Sequence, residues 1–246
     1  MQFSGAGPII IGGTGGSGTR VVAQIIQSMG VFLGSNLNGS SDALDIAAFD
    51  WRYGKELLID GPSESIRTEF CSALERHRAG LSDEAAWGWK CPHSYLFLHF
   101  LREVFPDLRF VHVIRDGRDM AFSSNQKQRR RYGPLVLKTA GRDEAVNSIR
   151  YWSWANLRAA RLGRRLGGSY FLLRFEDLCA DPLQLSERLR QFCAATDAPD
   201  ANTLQGVRPP ASIGRWRQED PLVIERLERA GRSALARFGY GSQRHG

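Results

Sequence analysis

The stretch GPIIIGGTGGSGTRVVAQIIQSM, Gly7 to Met29, decides how the rest of the chain is read. Ile9 to Ile11 form a short apolar run between glycines, the pattern of a strand buried on both faces. Gly12 to Arg20 then carries five glycines in nine residues. Val21, Val22, Ile25, Ile26 and Met29 follow at helical spacing, and Gly30 supplies a helix stop. The order is strand, glycine-rich loop, helix. Glycines let backbone N–H groups approach a phosphate, and the helix that follows turns its positive end to the same anion. A plain tight turn is the competing reading, and five glycines before a helix weigh against it.

Working outward, the alternation continues. Trp87 to Lys90 reads as a short strand and His93 to Phe105 as a helix broken by Pro106 and Asp107. Leu108 to Ile114 is a β-branched strand, and after a turn at Arg115 to Arg118 a helix is expected from about Asp119. Asp143 to Arg165 is a long amphipathic helix and Tyr170 to Arg174 a further strand. Helices are expected at 63–79, 182–196 and 221–238, and residues 34–50 as a loop passing into a helix. Strands alternating with helices specify an α/β fold, a parallel sheet with helices on both faces. Ligands in such folds sit at the carboxyl ends of the strands, where the glycine-rich loop and the Arg115 turn both lie.

The chain has 246 residues, which suits one large domain, 1–246. No apolar run reaches the length of a membrane span, and the start lacks the features of a signal peptide, so a cytoplasmic protein is expected. The four cysteines, Cys71, Cys91, Cys179 and Cys193, form no CxxC pair and have no His at metal-ligand spacing. Reduced thiols and no metal site are expected. The net charge of +7 attracts anions without choosing among them. The basic run Lys127 to Arg131, KQRRR, reads first as a solvated helix end or loop.

Three nucleotide readings meet at the loop. A phosphate loop of the GxxxxGK[ST] kind runs from Gly13 to Gly18, but Thr19 stands where its lysine belongs, which disfavours an ATP- or GTP-dependent kinase. Gly13, Gly15 and Gly18 satisfy GxGxxG, yet no acidic residue follows at the end of a second strand to hold a ribose. The third is set by a resemblance. Ser17-Gly18-Thr19 resembles the 5′-phosphosulfate loop of the sulfotransferases that use 3′-phosphoadenosine 5′-phosphosulfate (PAPS), with Gly16 in place of the usual Lys or Arg and Arg20 in place of the usual Thr.

A second signature supports the same resemblance. Arg115-Asp-Gly-Arg-Asp-Met-Ala-Phe-Ser123 is similar to the family's 3′-phosphate motif, an Arg at a strand end with a Ser eight residues on. An Arg there offers a bidentate fork to a phosphate; taken alone it is equally a surface strand cap. Lys127, four residues past Ser123, is expected on the same helix face and resembles a basic residue of the tyrosylprotein branch. Lys90-Cys91-Pro92 resembles the family's K-x-P segment, Phe171 to Leu178 with Asp181-Pro182 its YEDL…P stretch, and Gly214-Arg215-Trp216 its C-terminal cofactor loop. Trp216 reads equally as a core residue.

The resemblance runs in order from about residue 8 to 217. It implies a three-layer α/β/α fold of the phosphate-loop nucleoside-triphosphate-hydrolase type and sulfuryl transfer from PAPS, leaving adenosine 3′,5′-bisphosphate (PAP), with no metal. It implies cofactor contacts from Gly15, Gly16, Ser17, Gly18, Thr19, Arg20, Arg115, Ser123, Lys127, Gly214, Arg215 and Trp216, with Lys90 and Arg20 stabilising the leaving group. The family's general base is a Glu or His following the first loop. The region after that loop offers Asp42, Asp45 and Asp50; the candidates taken are Asp42, which also reads as a helix N-cap; Asp45, expected on Asp42's face; and His93. The acceptor, a carbohydrate, lipid, metabolite or peptide, is not legible, nor is the oligomeric state. Residues 34–80 and 125–145 are expected to face the acceptor. Two alternatives remain: another nucleotide enzyme, kinase-like or NAD-binding, and a non-catalytic anion-binding protein using KQRRR. Nucleic acid is not expected as a partner.

Overall fold

The computed structural model describes residues 6–82, 85–138 and 141–241. Four strands, β1 (Ile9–Gly12), β2 (Gly88–Lys90), β3 (Arg109–Ile114) and β4 (Tyr170–Arg174), form an all-parallel sheet in the order β2-β1-β3-β4. Ile11 pairs with Lys90 and Gly12 with His112, so the ends of β1, β2 and β3 finish side by side. The chain leaves β1 to one side for β2 and returns to the other for β3. This reversal opens a crevice at the carboxyl ends of the central strands.

The helices are α1 (Thr19–Ser28), α2 (Leu44–Ile59), α3 (Glu64–His77), α4 (Leu98–Val104), α5 (Gly117–Ala121) and α6 (Lys127–Val136) in the first part of the chain. They continue as α7 (Glu144–Gly163), α8 (Phe175–Ala180), α9 (Pro182–Cys193), α10 (Ala201–Gln205) and α11 (Pro221–Arg237). Successive strand residues point to opposite faces, and here both faces are apolar. Ile10, Trp89 and Phe110 pack with α2, α3, α4 and α7 on one side, while Ile9, Ile11, Val111, Val113 and Leu173 pack with α1, α8 and α9 on the other. Ile114 joins a third cluster with α5, α7 and α11. The three-layer α/β/α expectation holds.

Two expectations change. Ser123 and Lys127 do not share a helix: α5 ends at Ala121 and α6 begins at Lys127. Ser123 Oγ accepts the Asn125 N–H, and Gln126 Nε2 donates to the carbonyls of Met120 and Ser123. These side chains supply partners that a continuing helix would have supplied from its backbone. Likewise Asp42 is not a helix cap and does not lie on a face with Asp45. The cap position of α2 is Ala43, without a side-chain cap bond, and Asp42 lies before it.

All four cysteines are free thiols. Among the described residues no helix is long and apolar enough to cross a membrane.

Candidate active site

The crevice is a cavity of about 480 Å³ lined from four parts of the chain: the glycine-rich loop (Gly15, Gly16, Gly18, Thr19, Arg20), the Ser40–Asp42 segment with Lys90 and Pro92, the Arg115 turn with Asn125, and Phe175 with Arg208 and Ser212. The loop is shaped by its glycines. Gly16 and Gly18 have φ of +94° and +95°, a region side chains rarely adopt. A Cβ on Gly18 would lie 2.2 Å from the Phe175 ring, and one on Gly13 2.2 Å from the Val113 carbonyl oxygen. Gly16 therefore lacks the family's basic side chain in a backbone conformation that disfavours one. The Thr19 and Arg20 N–H groups, in the first turn of α1, have no intrahelical acceptor. Among the described residues, buried Ser17 Oγ and Thr14 Oγ1 have no hydrogen-bond partner.

Lys90, at the end of β2, is 2% exposed. Its Nζ donates to Asp42 Oδ1 at 2.5 Å and to the Ser40 carbonyl at 3.0 Å. The backbone is stitched at the same point, with Ala43 N–H donating to the Lys90 carbonyl. Asp42 Oδ2 accepts from Asn38 Nδ2 at 2.9 Å. A buried ammonium requires such a partner.

Arg115, at the end of β3, is also buried; its Nη2 donates to Ser212 Oγ at 3.0 Å, while its Nε has no partner among the described residues. Trp152 Nε1 donates to the Arg115 carbonyl and its ring packs where a Cβ on Gly117 would fall. The turn is held further by Glu176, whose Oε1 accepts the Asp116 N–H and whose Oε2 accepts the Tyr240 hydroxyl.

The other expected site residues fall into three groups. Ser123 faces the loop, its Oγ 3.4 Å from where a Gly16 Cβ would stand. Gly214, Arg215 and Trp216 approach the Arg115 turn through Asp119. Trp216 lies under the guanidinium of Arg118 at 3.8 Å and that of Arg217 at 4.7 Å, and is not a core residue. Ser17, Ser123, Gly214, Arg215 and Trp216 do not line the cavity themselves, and neither do Lys127, Asp45 and His93. Lys127 is exposed at the start of α6. Asp45 pairs with Arg76 at 3.6 Å and accepts from Asn36. His93 packs against Tyr132, and burial, reinforced by the Arg131 charge, holds its pKa down at about 4. Of the basic run, Arg131 stacks on Trp51 and Arg129 pairs with Glu144, so it is partly engaged within the fold.

Sequence reasoning missed Arg208, an exposed cavity-lining arginine outside every ion pair among the described residues. Its signal was only a basic residue before the Pro-Pro pair. Of the two expected acceptor segments, 34–80 contributes Ser40 and Asp42 and 125–145 contributes Asn125; residues 139 and 140 lie outside the described residues. Among the described residues no group of three or more His, Cys, Asp or Glu is placed to hold a metal ion.

The family model described as "Sulfotransferase family" matches residues 8–199. No curated protein matches the chain. A solved sulfotransferase from Alicyclobacillus acidocaldarius has a TM-score of 0.60 at 14% identity, with 94% of each chain covered. Sulfotransferase STF9 from Mycobacterium avium has a TM-score of 0.57 at 15% identity, covering 96% of this chain and 78% of that one. The sulfotransferase domain from the curacin biosynthetic pathway gives 0.56 at 13% identity, covering 98% and 99%. At these identities the structural likeness is one of fold.

Proposed function

This chain belongs to the sulfotransferase family, and on that premise we propose how its cleft transfers a sulfuryl group from PAPS to an acceptor hydroxyl or amine. One observation carries the reading: the turn after β1 and the turn after β3 open onto a single cavity that also holds the Lys90–Asp42 pair. The donor supplies a sulfuryl group joined to a phosphate that leaves as part of PAP. The residues fit such a ligand. Among the described residues the Ser17 hydroxyl within the loop and the Arg115 Nε have no partner, and Arg20 and Arg208 line the cavity outside any ion pair.

In this reading Gly15 to Thr19 and Arg20 hold the 5′-phosphosulfate end. Arg115, with Ser123 and the Ser212–Trp216 segment, holds the 3′-phosphate. Lys90 and Arg20 supply the cation absent at Gly16, stabilising charge on the phosphate oxygen as the S–O bond breaks. Asp42 takes the proton released by the attacking acceptor atom. Its neighbours Lys90 and Asn38 hold both carboxylate oxygens in place. Positioning and electrostatics dominate transfers of this kind.

Thermal unfolding with PAP, 5′-AMP, ATP and NAD tests the reading. A ligand at a hundred times its Kd adds about 2.7 kcal/mol, roughly 5–10 °C for a chain of this size. PAP is expected to give the largest rise, Arg115→Ala to abolish it, and Lys90→Ala to reduce it. A rise with ATP or NAD and none with PAP sinks the reading.

A further inference from the structure

The Arg115 turn and the Gly214–Trp216 segment are about a hundred residues apart in sequence, and one buried side chain joins them. Asp119 is 1% exposed and sits in α5. Its Oδ2 accepts the Gly214 N–H at 2.8 Å and its Oδ1 the Trp216 N–H at 3.2 Å. Its backbone carbonyl accepts from Arg215 Nε at 3.0 Å and Nη2 at 2.7 Å. The same Oδ2 lies 3.6 Å from Arg115 Nη2, which in turn donates to Ser212 Oγ. Asp119 therefore meets one arginine through its carboxylate and another through its carbonyl.

We propose that Asp119 is the positioning residue that assembles the 3′-phosphate half of the donor site, holding Arg115 and the Ser212–Trp216 segment in register with each other. The proposal rests on the PAPS reading above. The physical case is electrostatic and geometric. Arg115 and Arg215 are like charges in a partly buried space; burial and then the Arg115 charge lower the Arg215 pKa, with Asp119 opposing. Without an anion between them they would drive the C-terminal segment off the turn. Gly214 must also adopt φ +78°, a conformation fixed at this place by the N–H bond to Asp119. Arg208 and Ser212, on the chain leading into this segment, line the cavity, so releasing it removes one wall of the site. A carboxylate accepting two N–H groups is a stronger tether than a neutral acceptor.

Asp119→Asn keeps the shape but removes the charge and puts an N–H donor against one of the two amides. Calorimetric titration should show PAP binding weakened about tenfold, the scale of one charged hydrogen bond. Binding of 5′-AMP, which lacks the 3′-phosphate, should stay within about twofold. A general structural role would weaken both ligands. Glu103→Gln is the control: it breaks the 2.7 Å pair between Arg67 of α3 and Glu103 of α4, away from the cavity lining, and should leave PAP affinity unchanged. Unchanged PAP affinity in Asp119→Asn, or equal losses for both ligands, overturns the proposal. Should Asp119→Asn not fold, hydrogen exchange on the unaltered protein decides. PAP must slow exchange at the Gly214 and Trp216 amides, and no change in either overturns the proposal. Absence of PAP binding by the unaltered protein is a different failure, removing the donor reading and this proposal with it.

Discussion

Asp50 is 2% exposed behind Lys90, and its Oδ2 accepts from Cys91 Sγ and Ser94 Oγ, both at 3.1 Å. Burial raises its pKa from 3.8 to about 7, against the lowering effect of those two bonds. Between about pH 4 and 7 the folded chain therefore holds a proton that the unfolded chain has released. Stability then falls as pH rises through this window, by up to about 4 kcal/mol from this group, and flattens above the folded pKa. His112 works in the opposite sense: burial lowers its pKa to about 4, so its contribution rises with pH over the lower part of the same range. The two separate in a difference experiment. Denaturant stability of the unaltered protein minus that of Asp50→Asn, measured from pH 4 to 8, should decline across the window, because the histidine contribution cancels. A flat difference would mean that Asp50 is ionised throughout. The sequence offered Asp50 only as one of three aspartates after the first loop, with no sign of its burial. An aspartate in a helix gives no sign of its burial until β2 and the residues after it are brought against it.

At the scale of elements, the junction of β1 with α1 depends on one missing side chain. Gly18 occupies the cap position of α1 at φ +95° and ψ +9° and touches Phe175 at the start of α8. Gly18→Ala should cost about 2–5 kcal/mol, summing a left-handed conformation and an overpacked contact. Equilibrium unfolding measures this, and a double-mutant cycle with Phe175→Ala should return the packing share as coupling energy and leave the backbone share uncoupled. The strands were legible because runs such as Ile9–Ile11 and Arg109–Ile114 combine β-branched residues with flanking glycines and turns. α2 was read only as the far side of a loop. Its sequence carries Gly54 in mid-helix, a residue that argues against a helix locally. The reason is tertiary: a Cβ there would stand 2.5 Å from the Tyr132 hydroxyl. The break between α5 and α6 was missed because Ser123 and Lys127 were read on one face of a single helix, whereas Ser123 and Gln126 turn back onto the neighbouring backbone.

For the molecule as a whole, the +7 charge matters where it converges. Arg20, Lys90, Arg115 and Arg208 line one cavity whose single lining carboxylate among the described residues is Asp42. Binding of a polyanion there should weaken with salt as the field is screened. PAP affinity is expected to fall about three- to tenfold between 50 and 300 mM NaCl on that screening, while adenosine affinity stays constant; titration calorimetry at both salt concentrations checks this. The sequence by itself determined the parallel α/β architecture, the glycine-rich loop with its helix, and Arg115 at a strand end. These are local patterns: the period of a buried strand, the backbone freedom of glycine, and the punctuation of turns. Only the tertiary structure decided that Lys90 is tied to Asp42, that Asp45, His93 and Lys127 lie off the cavity, that Arg208 joins its lining, and that Asp119 binds two distant segments. Those facts depend on which strand ends finish side by side and which side chains must find partners once water is excluded, and neither is encoded in any short stretch of the chain.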